Sequence, residues 1–431
     1  MANKQLSYPI GLLPSWANDE NMNDPGEPWD GTPTKVEPGA GKRDDGYLAE
    51  EHPAAQHLNH KFHELGRWVQ YLSAIQVMNW FDVGEVTGCT AEAMTYDEGS
   101  LTWFFGGRAD IVTNSRDGQT FAATANTGTA QTWTHAASKP ADSTPAHTGA
   151  RTLLCSKSPL ATNRVVEFTG SFAAQTLPGT GNQSANVCIW SIETDQWIVA
   201  GQDDTAGTPA AAFWYDSTPI SGFTIDTPTA VGTSDEVIDV ASGLNAASDP
   251  LLVAIGNNAA PNFDVYTSTD GQTWSAAAPT GITSGEDARA IMWDGARALF
   301  VLVTDKRCYT STNGTAWTDV SGSLGGEFRR RCLDNDGGGI YVSANETGEP
   351  CAIRYSLDGG ATWRVVPVPP AENGSTDPIS IVHYSRVAGR FGIVWIDNPG
   401  GTPTNDGNFS LSLAVGETLF EVDTFSVPTV T

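Results

Sequence analysis

The chain has 431 residues and a formal net charge of −27. It is too long for one ordinary hydrophobic core and too acidic to hold nucleic acid on a basic surface. No apolar run is long enough to cross a bilayer as a helix, and the opening Met-Ala-Asn-Lys-Gln-Leu-Ser-Tyr-Pro lacks a secretory core, so synthesis in a reducing cytoplasm is expected.

Residues 1–51 are rich in Pro, Gly, Asn and Asp and show no periodicity. An extended arm is predicted, ordered only when something holds it, with Leu12, Leu13, Trp16, Trp29 and Val36 as apolar anchors. Residues 52–79 carry the one convincing helix pattern. Pro53 suits a first helical position. Leu58, Phe62, Leu65, Val69 and Leu72 follow at spacings of four, three, four and three, which is a heptad seam. Trp68, Tyr71 and Ile75 widen that face, so the helix needs more than one neighbour: its own following domain, symmetry copies or another subunit. Attachment or oligomerisation is therefore expected at Trp16, Trp29, Leu58, Phe62, Leu65, Trp68, Val69 and Leu72. His57, His60 and His63 beside Glu64 do not form a His-Glu-x-x-His motif, and polar interface contacts are expected from them rather than metal binding.

From about residue 80 to the end the chain reads as β. One turn motif recurs four times: Ser115-Arg-Asp117-Gly118-Gln-Thr120-Phe121, Ser268-Thr-Asp270-Gly271-Gln-Thr273-Trp274, Ser311-Thr-Asn313-Gly314-Thr-Ala-Trp317 and Ser356-Leu-Asp358-Gly359-Gly360-Ala-Thr362-Trp363. The last fits the Asp-box pattern Ser-x-Asp-x-Gly-x-Thr-Trp in full. Ser and Asp side chains accept backbone N–H bonds inside a tight turn, Gly supplies positive φ, and the aromatic returns the chain to an apolar layer. A second, independent register appears as seven short apolar strands at 101–105, 164–168, 196–200, 251–255, 298–303, 339–342 and 390–395. Turns such as Asp97-Glu-Gly99, Asp294-Gly295, Asp334-Asn-Asp336-Gly337 and Ala388-Gly389 precede several of them. Their spacing is that of four-stranded propeller blades, and each Asp box falls one strand later.

A seven-bladed β-propeller over 80–431 is predicted, within a range of six to eight blades. The second, third and seventh blades lack a clear box. Tyr215-Asp216-Ser217-Thr-Pro219 stands at the expected place in the third, and Asn405-Asp406-Gly407-Asn408 in the seventh. Ring closure needs strands from both ends or other contacts, and 425–430 is a candidate addition to the first blade.

Candidate chemistry is sparse. The six cysteines, Cys89, Cys155, Cys188, Cys308, Cys332 and Cys351, show no zinc-ligand spacing and read as small buried apolar residues. Arg329-Arg330-Arg331 is unusual in so acidic a chain. Alternation along a strand predicts that the three do not converge on one ligand, leaving a solvated strand or an acidic contact. Asp334, Asp336 and Gly338 resemble the start of a calcium loop, but Asn345 stands at the twelfth position, and a plain turn is expected. Trp133, Trp214 and Tyr215 fall outside the regular strand positions and are candidate stacking platforms for a glycan. No cofactor, metal site or catalytic residue is assigned. Asp-box propellers include sialidases, but the Arg-Ile-Pro signature of that family is absent. An Asp-box glycoside hydrolase and a non-viral glycan-binding propeller stand as the alternative readings.

Residues 28–72 carry a more specific likeness. Pro28-Trp29-Asp-Gly31-Thr-Pro33-Thr34-Lys35-Val36 is followed by Gly46-Tyr-Leu, by Pro53-Ala-Ala55-Gln56-His-Leu58-Asn59 and by Gly66-Arg-Trp68-Val-Gln-Tyr71. This resembles the N-terminal module of tailed-bacteriophage virion proteins, in which a Pro-Thr-Lys-Val arm precedes a Pro-Ala-Gln-x-Leu-Asn helix start. The Gly-Glu-Lys-Pro-Pro lead-in of that family is replaced here by Ala49-Glu-Glu-His-Pro53. The resemblance implies a tail fibre, spike or appendage protein that attaches to other tail proteins and forms a homo-oligomer. The propeller would contact a host-surface glycan or pack in the tail shell. Assembly in the bacterial cytoplasm follows, with no membrane insertion and no nucleic acid among the partners.

Overall fold

The computed structural model describes residues 80–412 apart from segments 87–88, 90, 108–110, 118–119, 123–124, 127–131, 141–150, 157–164, 169–171, 176, 179–182, 205–208, 217–221, 229–235, 258–262, 322–327, 346–351, 368–378 and 397–406. The expected arm, the helix and the virion-like stretch therefore lie outside the described residues. With them go Trp16, Trp29, His57, Leu58, His60, Phe62, His63, Leu65, Trp68, Val69 and Leu72. So do Gly118, Cys351 and the proposed closing strand at 425–430.

The described residues form seven four-stranded antiparallel sheets. Successive sheets are the blades of a seven-bladed propeller. Their inner strands are Ala93–Asp97, Trp133–Ser138, Gln183–Ser191, Glu236–Leu244, Ala288–Asp294, Phe328–Asn335 and Ile379–Ser385. Each inner strand touches the next, and the last touches the first, so the ring is closed. Six blades are built from four consecutive strands. The seventh takes its outermost strand from the beginning of the domain: Trp80–Val86 pairs antiparallel with Gly407–Ser412. The ring is thus closed by the strand that precedes blade one, and blade one has four strands among the described residues.

Both faces of each blade are covered, so the described residues share no single core. Seven apolar clusters fill the seven seams between neighbouring blades. This is why the second strands read as short unbroken apolar runs such as Leu299-Phe-Val-Leu-Val303. The five described cysteines are buried in these seams as small apolar residues.

Two turns repeat around the ring. The inner strand joins the second strand through four residues at 98–101, 192–195, 295–298 and 386–389. In each, the last inner-strand residue caps the turn. Asp97 Oδ1 accepts the Gly99 N–H at 2.8 Å, Asp294 Oδ1 the Ala296 N–H at 3.0 Å, Ser191 Oγ the Thr194 N–H at 3.2 Å and Ser385 Oγ the Ala388 N–H at 3.0 Å. The fourth loop residue takes positive φ in all four, at Leu101, Asp195, Ala298 and Gly389.

The Asp boxes of blades one, four, five and six join the third strand to the fourth, one strand beyond the second-strand register as expected. In blade four, Ser268 Oγ donates to Asp270 Oδ1 at 3.0 Å and accepts the Gly271 N–H at 2.8 Å. The N–H groups of Gln272 and Thr273 both reach Asp270 Oδ1 at 2.8 Å. Trp274 Nε1 closes on the Gly271 carbonyl at 3.2 Å. Blade six repeats this with Ser356, Asp358, Gly360 and Trp363, and blade five with Ser311, Asn313 and Gly314, beside the buried Trp317. In blade one, Ser115 Oγ donates to Asp117 Oδ1 at 3.0 Å.

Two blades depart from the sequence reading. In blade two the marker strand is Val165–Phe168, the third strand, whereas the second is Thr152–Ser156. The link from the inner strand there is long rather than a four-residue hairpin, so no turn signal announces Thr152–Ser156. In blade seven, Gly407 begins the third strand instead of sitting beyond it. Residues 405 and 406 lie outside the described residues, and the expected box position precedes the third strand, one turn before the place an Asp box takes in the other blades. In blade three the substitute holds: Asp216 Oδ2 accepts the Gly222 N–H at 2.7 Å.

Candidate functional site

The propeller axis is lined by the inner strands, and their first residues depart from regular pairing. The inner strand slips against its partner between Trp133 and His135, Ala185 and Val187, Val237 and Asp239, Ala288 and Ala290, and Ile379 and Ile381. Each slip is a one-residue bulge, leaving Thr134, Asn186, Ile238, Arg289 and Ser380 outside the ladder. A bulge re-aims a side chain that strand alternation would send elsewhere. In blade six the irregularity is larger. Phe328 pairs with Asn345 and the next pair is Leu333 with Ser343, a step of five residues against two. Arg331 takes a left-handed φ of 57° inside it, a conformation that costs an L-residue roughly 1–2 kcal/mol.

This ring of bulges builds a cavity of about 350 Å³ at the end of the axis where the inner strands begin. Arg289, Arg329, Arg330 and Arg331 line it, with Glu92 as the one carboxylate in the lining and Thr134 and Ser380 on the wall. All three consecutive arginines thus line one cavity, against the expectation from strand alternation, while the expected acidic surroundings are present at Arg331, on which the charges of Asp239 and Glu236 act. Alternation holds for a paired strand, and these residues stand in a bulge. Arg331 is held in place by its Nη1, which donates to the Asn186 carbonyl at 2.6 Å across the axis. Asn186 is itself fixed, its Nδ2 donating to Glu236 Oε1 at 3.0 Å and to the Val237 carbonyl at 2.9 Å. Burial lowers the pKa of Arg331, while the charges of Asp239 and Glu236 oppose that shift.

Below Arg331 the axis carries two inward carboxylates spent on backbone amides. Asp239 accepts the Val240 N–H at 2.9 Å and the Ile291 N–H of the next blade at 3.0 Å. Asp334 accepts the Asn335 N–H at 2.8 Å and the Tyr384 N–H of the next blade at 2.7 Å. Asp336 turns to its own hairpin, accepting the N–H groups of Gly338 and Ile340. The calcium-loop likeness is thus a turn and an inter-blade clamp. Burial raises the Asp239 carboxyl to about 7. Burial, with the charges of Arg331 and His383, lowers the His135 imidazole to about 3.

A second cavity of about 360 Å³ lies at the opposite end of the axis. Tyr96, Trp190, Trp293 and Tyr384 line it, with the Arg386–Glu98 ion pair, 3.0 Å, at its edge. These aromatics, not those singled out from the sequence, face a cavity. Trp133 and Trp214 are fully buried in blade seams, so the expected stacking role is corrected for them, and Tyr215 is half-buried against the seam of blades three and four. Trp133 begins the inner strand of blade two, and Gly106 makes room for it: a Cβ there would come within 2.7 Å of Trp133. Sequence alone offered one signal for the arginine-lined cavity. Arginine is scarce here, yet Arg289 and Arg329 to Arg331 all sit at the heads of consecutive inner strands.

The chain is a seven-bladed β-propeller. Residues 246–349 match the family model described as the DUF6242 beta propeller domain. No curated protein sequence matches the chain. Among solved structures, Ycf48 bound to D1 peptide is 13% identical with a TM-score of 0.50, over 78% of this chain and 97% of that one. Ycf48 from Cyanidioschyzon merolae is 12% identical with a TM-score of 0.52, over 78% and 98%. Raptor from Chaetomium thermophilum is 11% identical with a TM-score of 0.54, over 85% of this chain and 33% of that one. At these identities the likeness is one of fold.

Proposed function

We propose that this protein is a structural component of a tailed-phage virion, of the fibre, spike or appendage kind, in which the propeller binds a host-surface ligand rather than transforming it. The virion-like stretch at 28–72 supports the attachment role. The geometric observation that carries the display role is the place where the chain joins the ring. Trp80 opens the outermost strand of blade seven, opposite Ser412. Antiparallel order puts that position at the rim, on the end where the Asp boxes lie. The arginine-lined mouth opens on the other end, where a propeller tethered at Trp80 would present it. The axial carboxylates Asp239 and Asp334 are engaged by backbone amides, which suits a scaffold for binding.

The test compares particles assembled with the full chain and with a chain lacking residues 1–79, which leaves every propeller strand intact. The expected outcome is loss of the shortened chain from the particle while its thermal melt stays that of the propeller. Incorporation of the shortened chain would refute attachment through the N-terminal module.

A further inference from the structure

We propose that the arginine-lined mouth of the axis is a binding site for a phosphoryl group, taken as a small ligand or as the phosphate of a saccharide. The lining holds four arginines, one carboxylate, Glu92, and no lysine, and Asp239 and Glu236 add negative charge near Arg331. A guanidinium presents a planar fork that meets two oxygens of an oxyanion at once, which an ammonium does not. Arginines gathered in one small cavity suit an oxyanion, and a phosphoryl group offers such forks more acceptor oxygens than a lone carboxylate does.

The strand register fixes where the four arginines stand. They stand on bulges in two adjacent blades, and the largest of these bulges includes Arg331, held by the Asn186 carbonyl at 2.6 Å. A positive-φ residue within an enlarged bulge is backbone strain located where side chains converge, a pattern associated with ligand sites. The cavity, about 350 Å³, has room for one sugar phosphate. A net charge of −27 over the whole chain disfavours a long polyanion lying across the surface, so the ligand is one that enters the mouth.

This inference extends the proposed host contact by naming its chemistry, but the site uses only residues of the propeller. Failure of particle incorporation and failure of binding are separate readouts.

The experiment titrates the full chain by calorimetry at low ionic strength with inorganic phosphate, a hexose monophosphate and the parent hexose. Saturable binding of at least one phosphate compound is expected, with none of the parent hexose, and weakening on addition of salt. Equal affinity for both phosphate compounds identifies free phosphate as sufficient, and preference for the ester identifies a saccharide-borne group. Arg330→Ala and Arg289→Ala stand on different blades, so they do not share a folding defect. Each should weaken binding by about tenfold or more through loss of charge-assisted bonds, with unchanged thermal melts. Arg330→Lys should fall between. Absence of binding by the wild type, or wild-type affinity in both alanine variants, overturns the site.

Discussion

In the blade-four Asp box, one oxygen, Asp270 Oδ1, accepts both backbone amides and the Ser268 hydroxyl. An asparagine offers the same oxygen, which explains how Asn313 completes the box of blade five: its Oδ1 accepts the N–H groups of Thr315 and Ala316 at 3.0 and 2.9 Å. Asp270→Asn should therefore stay within about 0.5 kcal/mol of the wild type, whereas Asp270→Ala should lose about 1–2 kcal/mol. Urea midpoints of the two variants check this, and equal losses would show that charge matters more than the acceptor.

Asp239 gives a pH-dependent prediction. Its carboxyl titrates at about 7 in the folded protein because it is buried, even though two amides and Arg331 favour the anion. In the unfolded chain the value is about 4. The folded state thus holds a proton that the unfolded state has released. That contribution to stability is full below about pH 4 and lost as pH rises through about 7. The stability of Asp239→Asn relative to wild type should improve over that interval. A constant difference would mean that the carboxyl is not perturbed. His135, lowered to about 3, acts with the opposite slope. Its contribution is full above about pH 6.5 and lost as pH falls towards 3. Only differences between single variants separate the two effects.

Among the elements, the strand Trp80–Val86 decides closure. It covers the edge of Gly407–Ser412, and Trp80 packs in the seam of blades six and seven. Deletion of residues 1–79 should leave a cooperative melt. Extending the deletion through Val86 should expose an unpaired edge and an apolar seam, giving a lower, broader melt and association in light scattering. An unchanged melt in the longer deletion would show that the seventh blade stands on three strands. The Asp-box tips reinforce neighbouring blades in a similar way. Gly314 has φ 75°, and an added Cβ would come within 2.6 Å of Val253 Cγ2 on blade four. Gly314→Ala should therefore destabilise through both backbone strain and overpacking.

For the whole molecule, the proposed role requires attachment through residues that precede Trp80 and a binding surface elsewhere. Light scattering of the full chain and of the chain lacking residues 1–79 tests the expected homo-oligomer. A multimer that becomes monomeric on truncation supports assembly through the N-terminal module. A monomer in both forms would rule out self-association and leave docking on another virion protein. The ring geometry also predicts that binding at the arginine mouth survives truncation, because its residues belong to the inner strands of the propeller.

The local chemistry of turns is written in neighbouring residues. The Asp boxes and the capped four-residue hairpins at Asp97 and Asp294 therefore stood out in the sequence, and their repetition yielded the seven blades. Blade two hid its second strand because no short turn precedes Thr152, and Trp133 and Trp214 looked exposed because burial in a seam depends on the next blade. The arginine mouth was also hidden. Its convergence comes from β-bulges, which break the alternation that a sequence reading assumes, and from ring closure, which brings residues of five blades, separated by up to hundreds of positions, to one axis. The sequence by itself determined the repeating hairpins and the class of fold, because those depend on contacts within a few residues. Tertiary structure alone decided which strand closes the ring, which aromatics are buried and where the arginines meet, because each depends on the register between strands distant in the chain.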